Sequence, residues 1–299
     1  MAEKRRHKRK KRRGCLPRLL TLVLIVAALT AFYKYSNYSI EVERAEFGSE
    51  NLPALFDGYR IVQLSDLHGA EFGEGNETLL KEVEKAKPDC IVITGDLVDR
   101  FRGADLAAIK QLATELAALA PSYYVTGNHE WAVGSVPELK SLLRECGVTV
   151  LSNEYVELTA GDDRIILAGI DDPNGYADQK TPEELAAELY AAEGDHFWIL
   201  LAHRNNRFEH QYSLLGADLT ISGHGHGGII RLPFTDGLLS TDRTFFPSHT
   251  AGFYEDNGET VFVSRGLGNS GISRRLFNRP ELAVLTLRYE VPSSCVADG

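Results

Sequence analysis

The chain has 299 residues, 43% hydrophobic and 25% charged, enough to bury the core of one large α/β domain or two small ones. Its net charge of −10 hides two opposite regions: residues 1–18 carry +9, and the remaining 281 carry −19. A body that acidic argues against tight nucleic-acid binding, which needs cations along the phosphate backbone.

Lys4 to Arg13 is almost unbroken positive charge, and the apolar run Leu19 to Tyr33 follows it. Fifteen helical residues span about 23 Å, and Leu16, with Arg18 and Lys34 snorkelling, extends that toward the roughly 30 Å of a bilayer core. No small-x-small cleavage site follows Ala31, so the run reads as a membrane anchor or uncleaved signal rather than a cleaved one. The segments expected are a basic cytoplasmic tail (1–15), a transmembrane segment (16–35) and one domain (36–299). Positive-inside logic makes the anchor single-pass in the cell membrane, with the N-terminus cytoplasmic and the domain extracytoplasmic.

Beyond the anchor, strands and helices alternate. Ser39 to Phe47 and Tyr59 to Leu64 read as strands, and Asn76 to Lys87 as an amphipathic helix closed by Pro88. Cys90 to Thr94 is a short apolar strand stopped by Gly95-Asp96, and a helix from Ala104 to Leu119 follows. Ser122 to Thr126 is a strand and Pro137 to Glu145 a helix. Short strands are expected at 148–151, 155–158 and 164–170, with a turn at Asp171-Asp172-Pro173-Asn174-Gly175. Thr181 caps a helix over 182–192. Phe197 to Ala202 and Asp218 to Ser222 are buried strands, and 260–264 and 281–288 close a β-rich end. With no repeat or composition break, one α/β domain of two packed sheets with helices outside is the economical architecture.

The four cysteines, 15, 90, 146 and 295, form no zinc spacing. Cys90 and Cys146 read as small buried hydrophobes, with a disulfide between them as the alternative. The chemistry lies elsewhere, where strands end. Asp66 and His68, Asp96, Asn128 and His129, His203, and His224 with His226 all sit at or just past a last apolar residue. Five of the chain's nine histidines fall there. Strand ends that deliver only carboxylate, imidazole and amide suit Mn, Fe or Zn, and soft thiolate is missing from the set.

The ordered blocks Asp66-x-His68, Gly95-Asp96-x-x-Asp99-Arg100, Gly127-Asn-His-Glu130, His203 and Gly223-His-x-His-Gly-Gly228 resemble the calcineurin-like metallophosphoesterases. The wider frame resembles the membrane-anchored or exported bacterial YkuE/YaeI-like branch. The resemblance implies a four-layer α/β/β/α sandwich with a dinuclear centre between the sheet ends, here preceded by one N-terminal transmembrane helix. By motif position, Asp66, His68 and His226 would hold one divalent or trivalent ion, Asn128, His203 and His224 the other, and Asp96 would bridge them. The implied activity is hydrolysis of a phosphodiester or phosphomonoester by a metal-bridging hydroxide. His129 would face the phosphate or protonate the leaving oxygen, Asp99 would orient His129, and Arg100 and Asn128 would touch the phosphate.

Gly225 stands where the family usually has Thr, and His203 is followed by Arg204-Asn205-Asn206 where Asn-Pro is common. These departures concern the pocket wall and leave every ligand position filled. Arg265, Arg274 and Arg275 are candidates for an anionic substrate, with plain surface charge the better expectation. His196, His210 and His249 match no motif position. The partners implied are a phosphoester, for which the tether suggests an envelope or lipid-linked kind, and the membrane; no oligomeric state is implied. The alternative function is a catalytically inactive scaffold of the same fold at the membrane.

Overall fold

A computed structural model describes residues 15–175, 179–232, 236–240, 244–271 and 273–291. The basic run 1–14 and Cys295 lie outside the described residues. The helices are α1 (Cys15–Tyr38), α2 (Glu77–Ala86), α3 (Leu106–Leu119), α4 (Asn128–Val133), α5 (Val136–Glu145) and α6 (Pro182–Glu193). The strands are β1 (Glu41–Ser49), β2 (Arg60–Leu64), β3 (Cys90–Thr94), β4 (Ser122–Val125), β5 (Thr149–Val150), β6 (Glu154–Ala160) and β7 (Asp163–Gly169). Then come β8 (Trp198–Arg204), β9 (Leu219–Gly223), β10 (Ile230–Arg231), β11 (Gly237–Leu239), β12 (Gly252–Asp256), β13 (Glu259–Val263) and β14 (Glu281–Tyr289).

Two six-stranded sheets form, ordered β1-β14-β2-β3-β4-β5 and β12-β13-β9-β8-β7-β6, with β10-β11 as a separate pair. Strands β2 to β5 are parallel to one another, as are β7, β8, β9 and β13. Such strands are buried on both faces, which is why they read as continuous apolar runs. Alternation divides their side chains between two cores. Ile61, Val92, Val125, Leu167, Ile199, Leu201 and Ile221 point between the sheets. Val62, Leu64, Ile91, Ile93 and Tyr124 face α2, α3 and α5, while Trp198, Leu200 and Ala202 face α6. The result is the four-layer α/β/β/α sandwich that the motif order implies.

The helix α6 carries the expected cap: Thr181 Oγ1 accepts from the Glu184 N–H, and the Glu184 carboxylate accepts from the Thr181 N–H. Four elements were not legible. Helix α4 has six residues, too few to show a period, and β12 and the β10-β11 pair are similarly short or irregular. Cys90 and Cys146 are free thiols, so the disulfide alternative is not realised.

Helix α1 is long and apolar enough to cross a membrane. Thr21 and Thr30 donate their hydroxyls to the carbonyls of Pro17 and Val26, which masks their polarity within the helix. The helix runs on to Tyr38, and its last turn is packed into the domain, with Ser36 and Asn37 buried.

Candidate metal centre

The C-terminal ends of the parallel strands of both sheets meet at one place, where ligands bind in open α/β sheets. β2 delivers Asp66 and His68, β3 delivers Asp96, β4 leads into Asn128 and His129, β8 holds His203, and β9 leads into His224 and His226. All seven candidate ligands and His129 come together. Five of them, Asp66, His68, Asp96, His224 and His226, sit at positive φ, between +48° and +67°. Non-glycine residues rarely adopt that backbone, and its repetition here marks strain held by the surroundings.

Each carboxylate divides its two oxygens. Asp66 Oδ2 accepts from Ser65 Oγ (2.5 Å) and from the His224 N–H (3.0 Å), which leaves Oδ1 buried without a hydrogen-bond partner among the described residues. That oxygen lies 3.3 Å from His226 Nε2 and 3.9 Å from His68 Nε2, and the two imidazole nitrogens are 3.0 Å apart. Asp96 Oδ1 accepts from the His129 N–H at 2.8 Å. Its Oδ2 stands between the two groups, 3.6 Å from His68 Nε2 and 3.4 Å from His203 Nε2. On the far side, His203 Nε2 is 3.2 Å from both Asn128 Oδ1 and His224 Nδ1. His203 Nδ1 lies 2.8 Å from the Thr94 carbonyl, which takes its N–H and leaves Nε2 facing inward.

Donor atoms of one ion at bond lengths near 2.1 Å lie about 3.0–3.4 Å apart. The observed separations cluster around that range, and an orphaned carboxylate oxygen faces the gap. The donor set fits two ions sharing Asp96. Groups of His, Asp and Glu able to hold a metal are Asp66/His68/His226, Asp96/His203/His224 and His68/Asp96/His129. In the third, His129 Nδ1 already accepts the Arg100 N–H at 3.0 Å.

Electrostatics follow from the crowding. Burial would raise the Asp96 carboxyl, but His203 and His68 outweigh it and hold it well below the ordinary range. Burial likewise opposes charge on His203, yet Asp96 lifts that imidazole to about 10. Burial and the neighbouring His203 push His224 down to about 4.

His129 is lowered by its burial. Because its Nδ1 accepts from the Arg100 backbone, the neutral ring carries its proton on Nε2, 3.4 Å from Ser270 Oγ. Asp99 does not reach this ring by a hydrogen bond: its Oδ1 is 3.7 Å from His129 Nδ1. Its carboxylate instead accepts from the Phe101 N–H (2.8 Å) and the Gly271 N–H (2.9 Å), tying two site loops together. The Arg100 backbone, rather than the Asp99 carboxylate, fixes His129.

Several residues that shape the site escaped the sequence reading. Glu130, fully buried, accepts from the N–H groups of Gly127 (2.8 Å), Asp96 (3.0 Å) and Leu97 (2.7 Å). Burial and then the Asp96 charge push it up to about 7. It clamps the turn at Gly95, whose φ is +87° and where a Cβ would lie 2.5 Å from Gly127 N. Asn278 donates to the carbonyls of His226 (2.7 Å) and Ile229 (3.1 Å), holding the double-histidine turn. Gln63, between the sheets, donates to Thr94 Oγ1 and the Ser222 carbonyl. Asp172 receives Arg204 through both oxygens, at 2.6 and 3.1 Å. Of these, Glu130 stood in the Gly127-Asn-His-Glu130 block without an assigned role, and Asp172 read as part of a turn.

The arginine expectations divide. Arg265 is not a surface charge: it is paired with Glu281 and, at 2.9 Å, Glu41. Arg275 is buried and donates to the carbonyls of Gly268 and Arg265, with one nitrogen 3.3 Å from His226 Nδ1. Arg274 lines the open cavity over the centre, together with Arg100, Asn128, His129 and Arg204; that cavity measures about 1010 Å³. His249 and His196 lie away from the centre, beside Glu209 and Arg164.

The sandwich and a histidine–carboxylate cluster at its sheet ends define a metallophosphoesterase. The calcineurin-like phosphoesterase family matches residues 59–228, and the chain belongs to that family. It is 31% identical over 285 residues to the uncharacterized metallophosphoesterase YkuE of Bacillus subtilis, covering 89% of this chain and 93% of the relative. An uncharacterized metallophosphoesterase of Aquifex aeolicus is 32% identical over 280 residues, 89% of this chain and 98% of its own length. The transmembrane protein with metallophosphoesterase domain of Danio rerio is 31% identical over 91% of this chain, which spans 63% of that relative.

Proposed function

We propose that the protein is a membrane-tethered phosphodiesterase whose centre holds two ions of Mn, Fe or Zn. Asp66, His68 and His226 hold one, Asn128, His203 and His224 the other, and Asp96 both. The observation that carries this reading is the placement of Asp96 Oδ2 between His68 and His203, with its other oxygen occupied by backbone. Such ions, when bound, supply Lewis-acid polarisation of phosphoryl oxygens and a more acidic water.

The chain's own residues do the positioning. His129 presents an Nε2–H toward the cavity, a hydrogen-bond donor for a phosphate or leaving-group oxygen. Asn128 and Arg100 line the same cavity and bind the anion, and Asp99 keeps the Arg100 loop in place. A cavity of about 1010 Å³ leaves room for substituents on both ester oxygens, which supports a diester. Helix α1 supports single-pass tethering, with the basic tail in the cytoplasm and residues 36–299 outside. That the Danio rerio relative is a transmembrane protein with a metallophosphoesterase domain supports the tethering.

The test is hydrolysis of bis(p-nitrophenyl) phosphate by the full chain in detergent, stripped of metal and titrated with Mn²⁺. Turnover should require the metal. Asp96→Asn should reduce it by at least the roughly 100-fold that changes beyond the ligands themselves reach. Metal-independent turnover, or full activity in Asp96→Asn, refutes the two-ion assignment.

A further inference from the structure

The last turn of α1 is built into the wall of the candidate site. Asn37, 3% exposed, accepts from the Arg275 N–H (2.9 Å) and donates to the Arg275 carbonyl (3.1 Å). One turn earlier, the Tyr33 hydroxyl accepts from Arg274 Nε (3.0 Å), and the Phe32 ring packs on Phe277 with centroids 5.1 Å apart. Phe32 and Tyr33 belong to the apolar run of α1, about 7 Å further along the helix than Asn37. With α1 crossing a bilayer, residues touching them would sit at the level where the helix enters it.

Those residues lead straight to the cavity mouth. Arg274 lines the cavity and donates to the Gly271 carbonyl, and Phe101 lies over Gly271. Leu276 pairs through its backbone with Ile229 and Arg231, next to Ile230 of the cavity wall. Phe245 and Phe246 are bonded to the β11 strand, whose Leu239 lines the cavity, and Phe246 lines an adjoining cavity beside Ser240 and His224. These side chains are open to solvent: Phe101 is 64% exposed, Phe277 52% and Phe246 74%. Phe246 and Phe277 hold positive φ, unusual for bulky residues. An apolar collar of this kind, rimmed by Arg100, Arg102 and Arg274 on an otherwise acidic body, is the composition of a surface that rests on anionic lipid.

We propose that the mouth of the site lies in the membrane interface and that the cavity takes a phosphoester whose apolar tail stays in the bilayer. This rests on the phosphoesterase reading above and on α1 crossing the membrane. Aromatic rings suit the interface, and the arginines meet the phosphate as it is drawn in. A rigidly docked helix end, rather than a slack linker, keeps the mouth at one height.

Two measurements on the full chain in lipid nanodiscs test it. In the first, Phe101→Trp is compared in nanodiscs with and without brominated acyl chains. The added emission should fall by about half or more with bromine; unchanged emission would overturn the placement of the mouth. In the second, Mn²⁺-loaded protein is given hexadecyl p-nitrophenyl phosphate or methyl p-nitrophenyl phosphate, which share one scissile bond. The hexadecyl ester should turn over at least tenfold better, and Phe277→Ser with Phe246→Ser should bring that ratio toward one. Equal turnover of the two esters by the wild-type chain would overturn the substrate class while leaving the phosphoesterase reading intact. Turnover of neither would remove that reading and the substrate class with it, and the quenching result would stand by itself.

Discussion

Asp66 and Asp96 show how a single side chain can be both scaffold and ligand. One oxygen of each is taken by a neighbouring backbone N–H, and the other is left for the centre. The two departures from the family pattern prove to be one. A Cβ at Gly225 would lie 2.7 Å from Asn205 Nδ2, and Asn205 is itself buried and held by the His249 carbonyl. Gly225 has an ordinary helical φ of −73°, so its requirement is steric rather than conformational. Gly225→Thr should therefore destabilise by about 1–3 kcal/mol through overpacking. Adding Asn205→Ala should recover most of that loss, and thermal melts of the three variants measure it. The raised His203 makes a second prediction at this scale. Its folded value, about 10, lies above the ordinary 6.5, so the metal-free protein carries this proton through neutral pH. A metal must displace it. Metal affinity should rise with pH up to about 10, by up to about tenfold per unit, with proton release visible by calorimetry in buffers of different ionisation enthalpy. Affinity independent of pH would show that His203 is neutral in the metal-free protein.

At the scale of elements, α4 matters more than its six residues suggest. Its Glu130 is the common acceptor for the turns after β3 and β4, so it sets the approach of Asp96 to Asn128 and His129. Glu130→Ala leaves four buried N–H groups, those of Asp96, Leu97, Val98 and Gly127, without this acceptor. The expected loss is about 3 kcal/mol or more, read as a fall in denaturation midpoint. The strands themselves were legible because β2, β3, β4, β8 and β9 are buried on both faces and so mostly apolar, with buried polar exceptions such as Gln63, Ser122, Thr220 and Ser222. Helix α4 was not, because its stability comes from hydrogen bonds made by Glu130 and Gly127 and not from an apolar stripe.

For the whole molecule, helix α1 runs past the point where the domain was expected to begin. The expected boundary at residue 36 falls inside α1, and Asn37 ties that helix to Arg275, 238 residues away. A chain starting at Ser36 keeps this contact, and should be soluble and hydrolyse bis(p-nitrophenyl) phosphate. A chain starting at Ile40 loses it, together with the Ser39 contacts to Arg279. It should melt several degrees lower, at roughly 2–4 °C per kcal/mol, and turn over more slowly. Equal melting temperatures and rates for the two would show that the helix end is only a tether.

By itself, the sequence determined the alternation of strands and helices, the apolar helix, and the residues that end the strands. All of these are local: a buried strand needs apolar residues, and a polar group beyond it needs a partner. The tertiary structure decided which of these groups meet. It chose the Asp96 oxygen that faces the centre, paired Arg204 with Asp172, removed Arg265 and Arg275 from the surface, and replaced Asp99 with the Arg100 backbone beside His129. Each of those outcomes depends on contacts between segments far apart in the chain. Such contacts leave no periodicity in a single sequence, because the folded backbone alone sets the distances between them.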